Sequence, residues 1–413
     1  MELRSLSQIF LINISGDDRP GLMSELSDVL VSLDAQILDI GQAIIHAELS
    51  LGMLVRVDQA LDEEHLSSKI SENSKMPDIR LTVSLIEDDK YQGWVNESGK
   101  KRFILTLLSK KSDSQMLSTT SSLTRAYNLN IDTVRRLTDR NSINLSDSKV
   151  CIEIRLRGFL NNPGEFQSDL LEKSEQFDFD FSFQRDTVFR RNRRLVVFEM
   201  DSTLINAEVM DELAHAFGVG TEVSKITSMA MQGKIDFQES FRRRVRLLKS
   251  MPEQTLYDVL ENIKLNPGAA KLVKTLQYFG YKVGIISGGF QYVGNWLQDR
   301  LGIDYVYANA LEFQDGYATG KPLGEIVDGQ RKADLLREIA EKEGITLQQS
   351  IAVGDGANDL EMLNLSGLGV AYHAKPSVKA SADHAISNFG LDAILYLIGF
   401  SDRDIDEALE QFS

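Results

Sequence analysis

The sequence predicts two ferredoxin-like α+β domains, followed by an α/β domain with a Rossmann-like parallel sheet and a helical cap insertion. Three observations support this prediction. The first half of the chain repeats one order of strands and helices with a period of about ninety residues. From Leu195 onward, apolar strands alternate with helices, which is typical of a parallel sheet. A long, partly polar helical stretch separates the first two of those strands.

The first predicted domain, residues 1–90, has the order βαββαβ. Its first strand alternates apolar and polar side chains, GDDRPGL interrupts the pattern, and leucines follow at helical spacing. The elements are a strand at 8–15, a helix from Leu22, two strands within 35–57, a helix at 62–75 and a strand at 78–86.

The second predicted domain, residues 101–186, repeats this order after a polar connector at 88–102. Its last strand, DFDFSFQ, alternates strictly, as a half-buried strand does. The elements are strands at 102–109, 130–137, 149–158 and 178–184, and helices at 113–127 and 164–177.

The third predicted domain, residues 190–413, contains strands at 195–200, 282–287, 305–309 and 350–355. The cap insertion, at about residues 206–265, lies between the first two strands. An insertion there is expected to cover the carboxyl ends of the strands, where open α/β sheets bind their ligands.

Composition limits the classes of partner. The formal net charge of −16 argues against a nucleic-acid partner, and the arginine run at 190–194 is interpreted as a solvated connector. The single cysteine, Cys151, cannot form an internal disulfide, which indicates a reducing compartment. Residues 1–18 have no long apolar block, so we expect neither a signal peptide nor a membrane span and predict a cytoplasmic protein.

Polar side chains follow the predicted parallel strands at their carboxyl ends, where they can meet in one pocket. They are Glu199 and Asp201 after the first strand, Ser287, Gly288 and Gly289 after the second, Asp355 and Asp359 after the fourth, and Lys332 on the preceding helix. Carboxylates without a cysteine and histidine cluster favour Mg²⁺, whose other ligands are usually water and substrate phosphate. A lysine, a hydroxyl and backbone N–H groups suit a phosphate group, one carboxylate can act as nucleophile, and another can transfer protons.

The runs MDSTLINAEVMDELA and GKIDFQESFRRRVRLL resemble the haloacid dehalogenase superfamily, and its phosphoserine phosphatases in particular. The repeated N-terminal modules resemble ACT domains, and GDDRPGL matches the ligand loop of that family. The resemblance implies magnesium-dependent hydrolysis of O-phospho-L-serine through an acyl phosphate. It also implies an amino-acid effector at the first ACT-like domain, although GDDRPGL can equally be a plain helix N-terminus.

The same resemblance assigns roles by position. It makes Asp201 the general acid and base and Glu199, Asp201 and Asp355 the metal ligands. The phosphate ligands are Ser287, Gly288, Gly289, Lys332 and Asn358, and Asp359 supports them. The amino-acid part would bind to Glu208 through its ammonium group and to Arg244 through its carboxylate, with Met231 and Phe237 lining the cap. Because other arginines flank Arg244, a solvated cationic helix face is the alternative.

Glu199 departs from the family pattern, which has aspartate at the nucleophile position. A misplacement of about 1 Å at a reacting group can cost on the order of a hundredfold in rate, so we expect reduced or absent turnover. Two alternatives stay open: a non-catalytic amino-acid-sensing regulator that keeps the fold, and a phosphatase for another small phosphomonoester. Exposed sheet edges in ACT-like modules further predict a homodimer.

Overall fold

The computed structural model describes residues 7–73, 79–97, 99–110, 114–139, 149–382 and 384–411. The predicted start of a helix at residue 113 lies outside these ranges. The chain forms two compact units, residues 1–100 and residues 101–413. Since the second unit holds both the second predicted domain and the α/β domain, we retain their boundary near residue 190 as a proposal.

The first unit is a four-stranded antiparallel sheet in the order β2-β3-β1-β4, as the ferredoxin-like prediction requires. Apolar side chains of β1 and β3 pack against the first helix, with Phe10, Leu26 and Val55 fully buried. Its elements are β1 (Gln8–Asp17), α1 (Leu22–Ser32), β2 (Gln36–Ile45), β3 (Glu48–Val57), α2 (Glu63–Asn73), β4 (Ile79–Ile86) and α3 (Asp88–Glu97). The polar connector thus contains a helix, with Asp88 and Asp89 in a first turn that favours negative charge.

The second ferredoxin-like module has the strand order β8-β5-β7-β6, again antiparallel. Asn162 caps its second helix by accepting a hydrogen bond from the Glu165 backbone N–H at 3.4 Å, and Pro163 follows at the first helical position. The elements are β5 (Lys101–Ser109), α4 (Ser114–Ala126), β6 (Asn130–Arg136), β7 (Val150–Gly158), α5 (Pro163–Phe177) and β8 (Phe179–Arg185).

The α/β domain places its first strand at the centre of a parallel sheet, between the second strand and the strand that carries Gly354. The strands are β9 (Leu195–Phe198), β10 (Lys282–Phe290), β11 (Tyr305–Gln314), β12 (Tyr317–Leu323), β13 (Ser350–Gly354), β14 (Leu368–Tyr372) and β15 (His384–Ile386). The cap helices are α6 (Val209–Phe217), α7 (Gly220–Met231), α8 (Phe237–Leu247) and α9 (Gln254–Leu260). The remaining helices are α10 (Ala269–Tyr278), α11 (Gln291–Leu301), α12 (Gly329–Lys342), α13 (Leu360–Leu365), α14 (Pro376–Lys379), α15 (Ala393–Leu397) and α16 (Asp402–Glu410).

The second module and the α/β domain share one sheet, which the sequence analysis did not predict. Strand β15 pairs antiparallel with β8, so that the described strands from β12 to β6 form an eleven-stranded sheet. The connector before β9 is only partly solvated: Arg191 and Arg194 are exposed, as predicted, but Arg190 and Arg193 are buried. Arg190 Nη2 lies 2.7 Å from Glu153 Oε2. A buried guanidinium is tolerated there because it is paired with a carboxylate. Within the described ranges, every helix is too short or too polar to cross a bilayer.

Candidate active site

The chain forms a tight turn immediately after β9, closed by a hydrogen bond from the Ile205 N–H to the Met200 carbonyl at 3.1 Å. Ser202 has a φ of 55°, the left-handed region that non-glycine residues rarely adopt. The turn is held from the far end of the cap, because Asn266 Nδ2 donates hydrogen bonds to three of its carbonyl groups. These are the carbonyls of Ser202 at 3.1 Å, Thr203 at 2.8 Å and Ile205 at 3.2 Å. The amide therefore compensates the strained backbone beside the predicted catalytic acids.

The carboxylate of Glu199 occupies a cradle of hydrogen-bond donors. Its Oε1 accepts from Ser287 Oγ and from the Met200 N–H, the latter at 2.9 Å. Its Oε2 accepts from Lys332 Nζ and, at 3.4 Å, from the Gly288 N–H. Glu199 is 5% exposed and Ser287 and Lys332 are not exposed at all, so the cradle is shielded from water. We call Ser287 Oγ, Gly288 N and Lys332 Nζ the anion cradle.

Lys332 is held rigidly on α12. Burial alone would lower its pKa, but the carboxylates of Asp359 and Glu199 outweigh burial and raise that pKa. Its Nζ lies 2.6 Å from Asp359 Oδ1. The helix begins at a fixed point because Asp328 accepts a hydrogen bond from the Arg331 N–H at 3.0 Å. The ammonium group is therefore a fixed positive charge at the bottom of the site.

Asp201 lies beside the cradle in a form suited to carrying a proton. Burial, followed by the negative charges of Glu199 and Glu208, raises its pKa well above the usual range. Among the described residues its Oδ1 has no hydrogen-bond partner. Gly289 is needed there, since a Cβ at that position would lie 2.9 Å from Asp201 Oδ2 and 2.6 Å from Met200 Cε.

Two further carboxylates follow β13. Asp355 Oδ1 accepts a hydrogen bond from Thr203 Oγ1 at 2.7 Å, which joins this loop to the turn after β9. Burial and the nearby Asp359 raise the pKa of Asp355 to about 7. Asp359 is fully buried, and its Oδ2 accepts from the Gly356 N–H at 2.9 Å. Negative charge is thus concentrated at this end of the sheet, with few compensating cations.

The cap supplies groups of both signs. Glu208 Oε1 accepts a hydrogen bond from Ser202 Oγ at 2.6 Å, and burial of its carboxylate followed by the charge of Glu199 raises its pKa. Burial lowers the pKa of Arg244, although Asp211 and Glu208 oppose that effect. Its Nε has no hydrogen-bond partner among the described residues. A half-buried guanidinium that faces a cavity and leaves its Nε without a partner among these residues is available for an anionic ligand.

One cavity of about 1170 Å³ connects these groups. Its lining includes Met231, Phe237 and Asn358 together with every other predicted site residue except Ser287 and Lys332. These two side chains lie behind Glu199 and contact its carboxylate, which does line the cavity. The fold therefore brings the predicted site residues together around one cavity. The role of each residue remains a proposal. The predicted metal ligands are less complete: within the described ranges, no three acidic, histidine or cysteine side chains converge as a metal site.

Sequence reasoning missed several residues that support the site. Asn266 lies in the run NPG at the end of the cap, a turn signal that gives no sign of its contacts with the turn after β9. Asn309 joins two loops, because its Nδ2 donates to the Gly288 carbonyl at 2.8 Å and its Oδ1 accepts from the Val327 N–H at 2.8 Å. Asn388, Phe389 and Gly390 line the cavity far from every predicted motif. Their partners are distant in sequence, so local spacing carries no signal for them.

Comparison with known proteins agrees with this architecture. Residues 196–364 match the haloacid dehalogenase-like hydrolase family, and residues 8–84 match the ACT domain family. A solved hydrolase of the haloacid dehalogenase family from Salmonella enterica is 30% identical, with a TM-score of 0.61 over 72% of this chain and 99% of that one. A probable phosphoserine phosphatase from Vibrio cholerae is 34% identical, with a TM-score of 0.57 over 75% of this chain and 89% of that one.

Two relatives match along nearly the whole length. The phosphoserine phosphatase of Streptomyces coelicolor is 34% identical over 401 residues, which are 96% of this chain and 94% of the relative. That of Mycobacterium tuberculosis is 33% identical over 399 residues, or 96% and 95% of the two chains. With its haloacid dehalogenase-like domain, its N-terminal ACT domain and this full-length similarity, the chain belongs to the phosphoserine phosphatase family of haloacid dehalogenase-like hydrolases.

Proposed function

We propose that this chain hydrolyses O-phospho-L-serine to L-serine and phosphate. The observation that carries the proposal is the anion cradle, which holds an oxyanion, the Glu199 carboxylate, beside the protonatable Asp201. Buried donors of this kind, fixed before the substrate arrives, stabilise the charge of a phosphoryl group in the transition state. The relatives that match nearly the whole chain are named phosphoserine phosphatases, which supports this choice of substrate.

The cap supports recognition of an amino acid. Arg244 offers a guanidinium to the substrate carboxylate, and Glu208 offers a carboxylate to the substrate ammonium group. Met231 and Phe237 line the same cavity and would exclude water when the cap closes over a small substrate. Opposite charges at two fixed points select a zwitterion over a simple phosphate ester.

The proposed reaction has two steps. A Glu199 oxygen attacks phosphorus, the bond between phosphorus and the serine oxygen breaks, and Asp201 donates its proton to that oxygen. In the second step Asp201 takes a proton from water, whose oxygen attacks the phosphorus of the acyl phosphate. Phosphate leaves and the Glu199 carboxylate is restored. The raised pKa of Asp201 suits the first step, because the side chain must begin it protonated.

The resemblance to haloacid dehalogenase-like phosphatases implies a divalent metal ion, and we propose Mg²⁺ here. The local charge fits a cation, since burial and the nearby carboxylate of Asp359 raise the pKa of Asp355 and Asp201 Oδ1 is buried without a partner among the described residues. Asp355 and oxygens of Glu199 and Asp201 would hold it, with water and substrate phosphate completing the shell. When bound, it would neutralise phosphate charge.

We further propose that Glu199 slows turnover. Its carboxylate already contacts the anion cradle, so a substrate phosphate must displace it before it can bind there. An aspartate is one methylene shorter, which would leave the cradle free for phosphate and keep the nucleophile in line with phosphorus. The added methylene therefore makes the side chain compete with the substrate.

Phosphate release from O-phospho-L-serine, measured with Mg²⁺ in the original chain and in Glu199→Asp, tests both proposals. We expect Glu199→Asp to raise kcat by on the order of a hundredfold, the effect of correcting a misplacement of about 1 Å. Glu199→Gln is the matched control, because it keeps the length of the side chain but removes its charge and should release no phosphate.

Each outcome separates the candidates. No release from either the original chain or Glu199→Asp would reject hydrolysis and favour the non-catalytic amino-acid-sensing regulator. One observation favours that alternative. The Glu199 carboxylate already accepts hydrogen bonds from the donors of the anion cradle, so these donors are paired without a ligand. Equal rates of phosphate release in the two chains would reject only the proposal that Glu199 slows turnover. The proposed hydrolysis would stand.

We also propose an amino-acid effector at the first domain, a homodimer and a cytoplasmic location. The ACT domain match supports ligand binding, and a cavity of about 590 Å³ lies on the sheet near Asn13, Gln42 and Arg80. GDDRPGL does not line that cavity, and its Arg19 pairs with Glu25 at 2.8 Å, which favours the plain helix N-terminus. Titration calorimetry with L-serine tests the effector, and sedimentation showing only monomer at micromolar concentration would reject the dimer.

A further inference from the structure

The second ferredoxin-like module touches the catalytic domain through strand pairing. In the shared sheet, β15 lies between β14 and β8, with His384 opposite Ser182 and Ala385 opposite Phe181. Strand β13, which ends at the loop that carries Asp355, is only two strands from β15. Any displacement of β8 therefore acts directly on a strand of the catalytic domain.

Asp180 on β8 forms hydrogen bonds with the segment that follows β15. It is 4% exposed, and its carboxylate accepts from the N–H groups of Ser387 and Asn388, both at 2.9 Å. It also accepts from Asn388 Nδ2 at 3.2 Å. A buried carboxylate is costly unless it is hydrogen-bonded, and here two adjacent residues supply all three of these bonds. The position of this segment is thus set by a side chain of the second module.

The segment that Asp180 contacts forms one wall of the catalytic cavity. Asn388, Phe389 and Gly390 all line it, and His373 Nε2 lies 2.9 Å from the Phe389 carbonyl oxygen. Gly390 packs so closely on the chain before α10 that a Cβ would lie 2.5 Å from the Pro267 carbonyl oxygen. A side chain at residue 390 would push the two segments apart.

The contacts continue from this segment to the turn after β9. The Leu391 N–H donates to the Pro267 carbonyl at 2.8 Å, and the preceding Asn266 holds the carbonyls of the turn after β9. Ser202 in that turn donates to Glu208, the proposed ammonium receptor, at 2.6 Å. Hydrogen bonds joined by short stretches of backbone, from Asn388 to Leu391 and from Pro267 to Asn266, therefore link Asp180 to the amino-acid end of the site. The anion cradle is built from other elements, β10 and α12.

We infer that Asp180 is a positioning residue for the substrate's amino-acid group, so that the second ACT-like module forms part of the active-site structure. The inference rests on the proposed function. Loss of the Asp180 carboxylate should loosen the wall and the turn that orients Glu208. It should leave the anion cradle unchanged.

The test compares Asp180→Asn with Asp178→Asn, both in the Glu199→Asp chain. Asp178 is exposed and two residues away, so it matches the change in charge without the buried contacts. We expect Asp180→Asn to raise KM for O-phospho-L-serine by about tenfold, while inhibition by inorganic phosphate stays constant, because only the amino-acid end is displaced. A partly unfolded preparation would lower kcat without this selective rise in KM. Unchanged KM, or an equal weakening of phosphate, would overturn the inference.

Hydrogen–deuterium exchange gives a second readout that needs no turnover. Faster exchange in residues 387–391 and 202–208 of Asp180→Asn, but not of Asp178→Asn, is expected if the series of contacts exists. If the Glu199→Asp chain releases no phosphate, the proposed function fails, and unchanged exchange would independently reject the positioning role. Should Asp180→Asn not fold, Asn388→Ala removes a single bond and is judged by exchange alone.

Discussion

Glu199 lies among the donors of the anion cradle, where the sequence predicts a bound phosphate. The residues that the sequence assigns to phosphate, Ser287 and Lys332, instead bind the Glu199 carboxylate. The assignment of an anion-binding cradle followed from residue types and their order along the chain. The group that occupies the cradle could not be predicted in this way. The reach of a side chain depends on backbone position, which the spacing of residues in the sequence cannot give.

Arg244 provides the residue-scale test of substrate choice. In the Glu199→Asp chain, Arg244→Ala should raise KM for O-phospho-L-serine by about 10- to 100-fold, the equivalent of one hydrogen-bonded charge. The measurement is steady-state phosphate release, repeated with a phosphate monoester that lacks a carboxylate, whose KM should not change.

The matched control is Arg246→Ala, which removes an exposed arginine from the same helix. It should leave both KM values unchanged. If Arg244→Ala behaves like this control, another small phosphomonoester becomes the better substrate candidate.

At the scale of elements, periodicity predicted the helices and strands of the two N-terminal modules, and four strands and a helical insertion of the α/β domain. It failed for α3, whose polar residues conceal a helical period, and it did not indicate the strands β12, β14 and the three-residue β15. It also misjudged the arginine run, since Arg190 and Arg193 are buried against partners that lie far along the chain. Local pattern reports burial poorly when the covering element is distant in sequence.

Strand β15 also carries a buried titratable group with a predictable effect on stability. Burial and the charge of Arg193 lower the pKa of His384 to about 3, below the value of about 6.5 in an unfolded chain. The unfolded state therefore binds a proton that the folded state does not. This contribution to stability is complete above pH 6.5 and is lost as the pH falls towards 3.

We expect the thermal unfolding midpoint of the full chain to fall more steeply between pH 6.5 and pH 4 than that of His384→Gln. At most about 1.4 kcal/mol of unfolding free energy per pH unit would come from this histidine. Calorimetry across this range makes the measurement. His65→Gln, at an exposed helix position, should follow the original slope, and an identical slope in His384→Gln would contradict the prediction.

At the scale of the whole molecule, the division at residue 100 separates two units, whereas the sequence boundary near residue 190 crosses a packed core. Leu108, Leu137 and Cys151 of the second module belong to the same apolar cluster as Val196 and Tyr396 of the α/β domain. Cys151 is fully buried in this cluster. Removal of the second module would expose this cluster to water.

We therefore expect the fragment 101–413 to keep the unfolding midpoint of its unit in the full chain. The fragment 190–413 should unfold at lower temperature or aggregate, because it exposes the cluster and the unpaired edge of β15. Calorimetry and light scattering measure the two effects. A monodisperse fragment 190–413 with an unchanged midpoint would show that the shared sheet contributes little.

The β8 and β15 pairing also has a consequence for biosynthesis. Ser182 precedes His384 by 202 residues, so β8 leaves the ribosome long before its neighbour exists. At translation rates of about 5 to 20 residues per second, that strand would wait roughly 10 to 40 s with one edge open. During this interval a nascent chain could pair β8 with another polypeptide, and protection by a chaperone would have its greatest value.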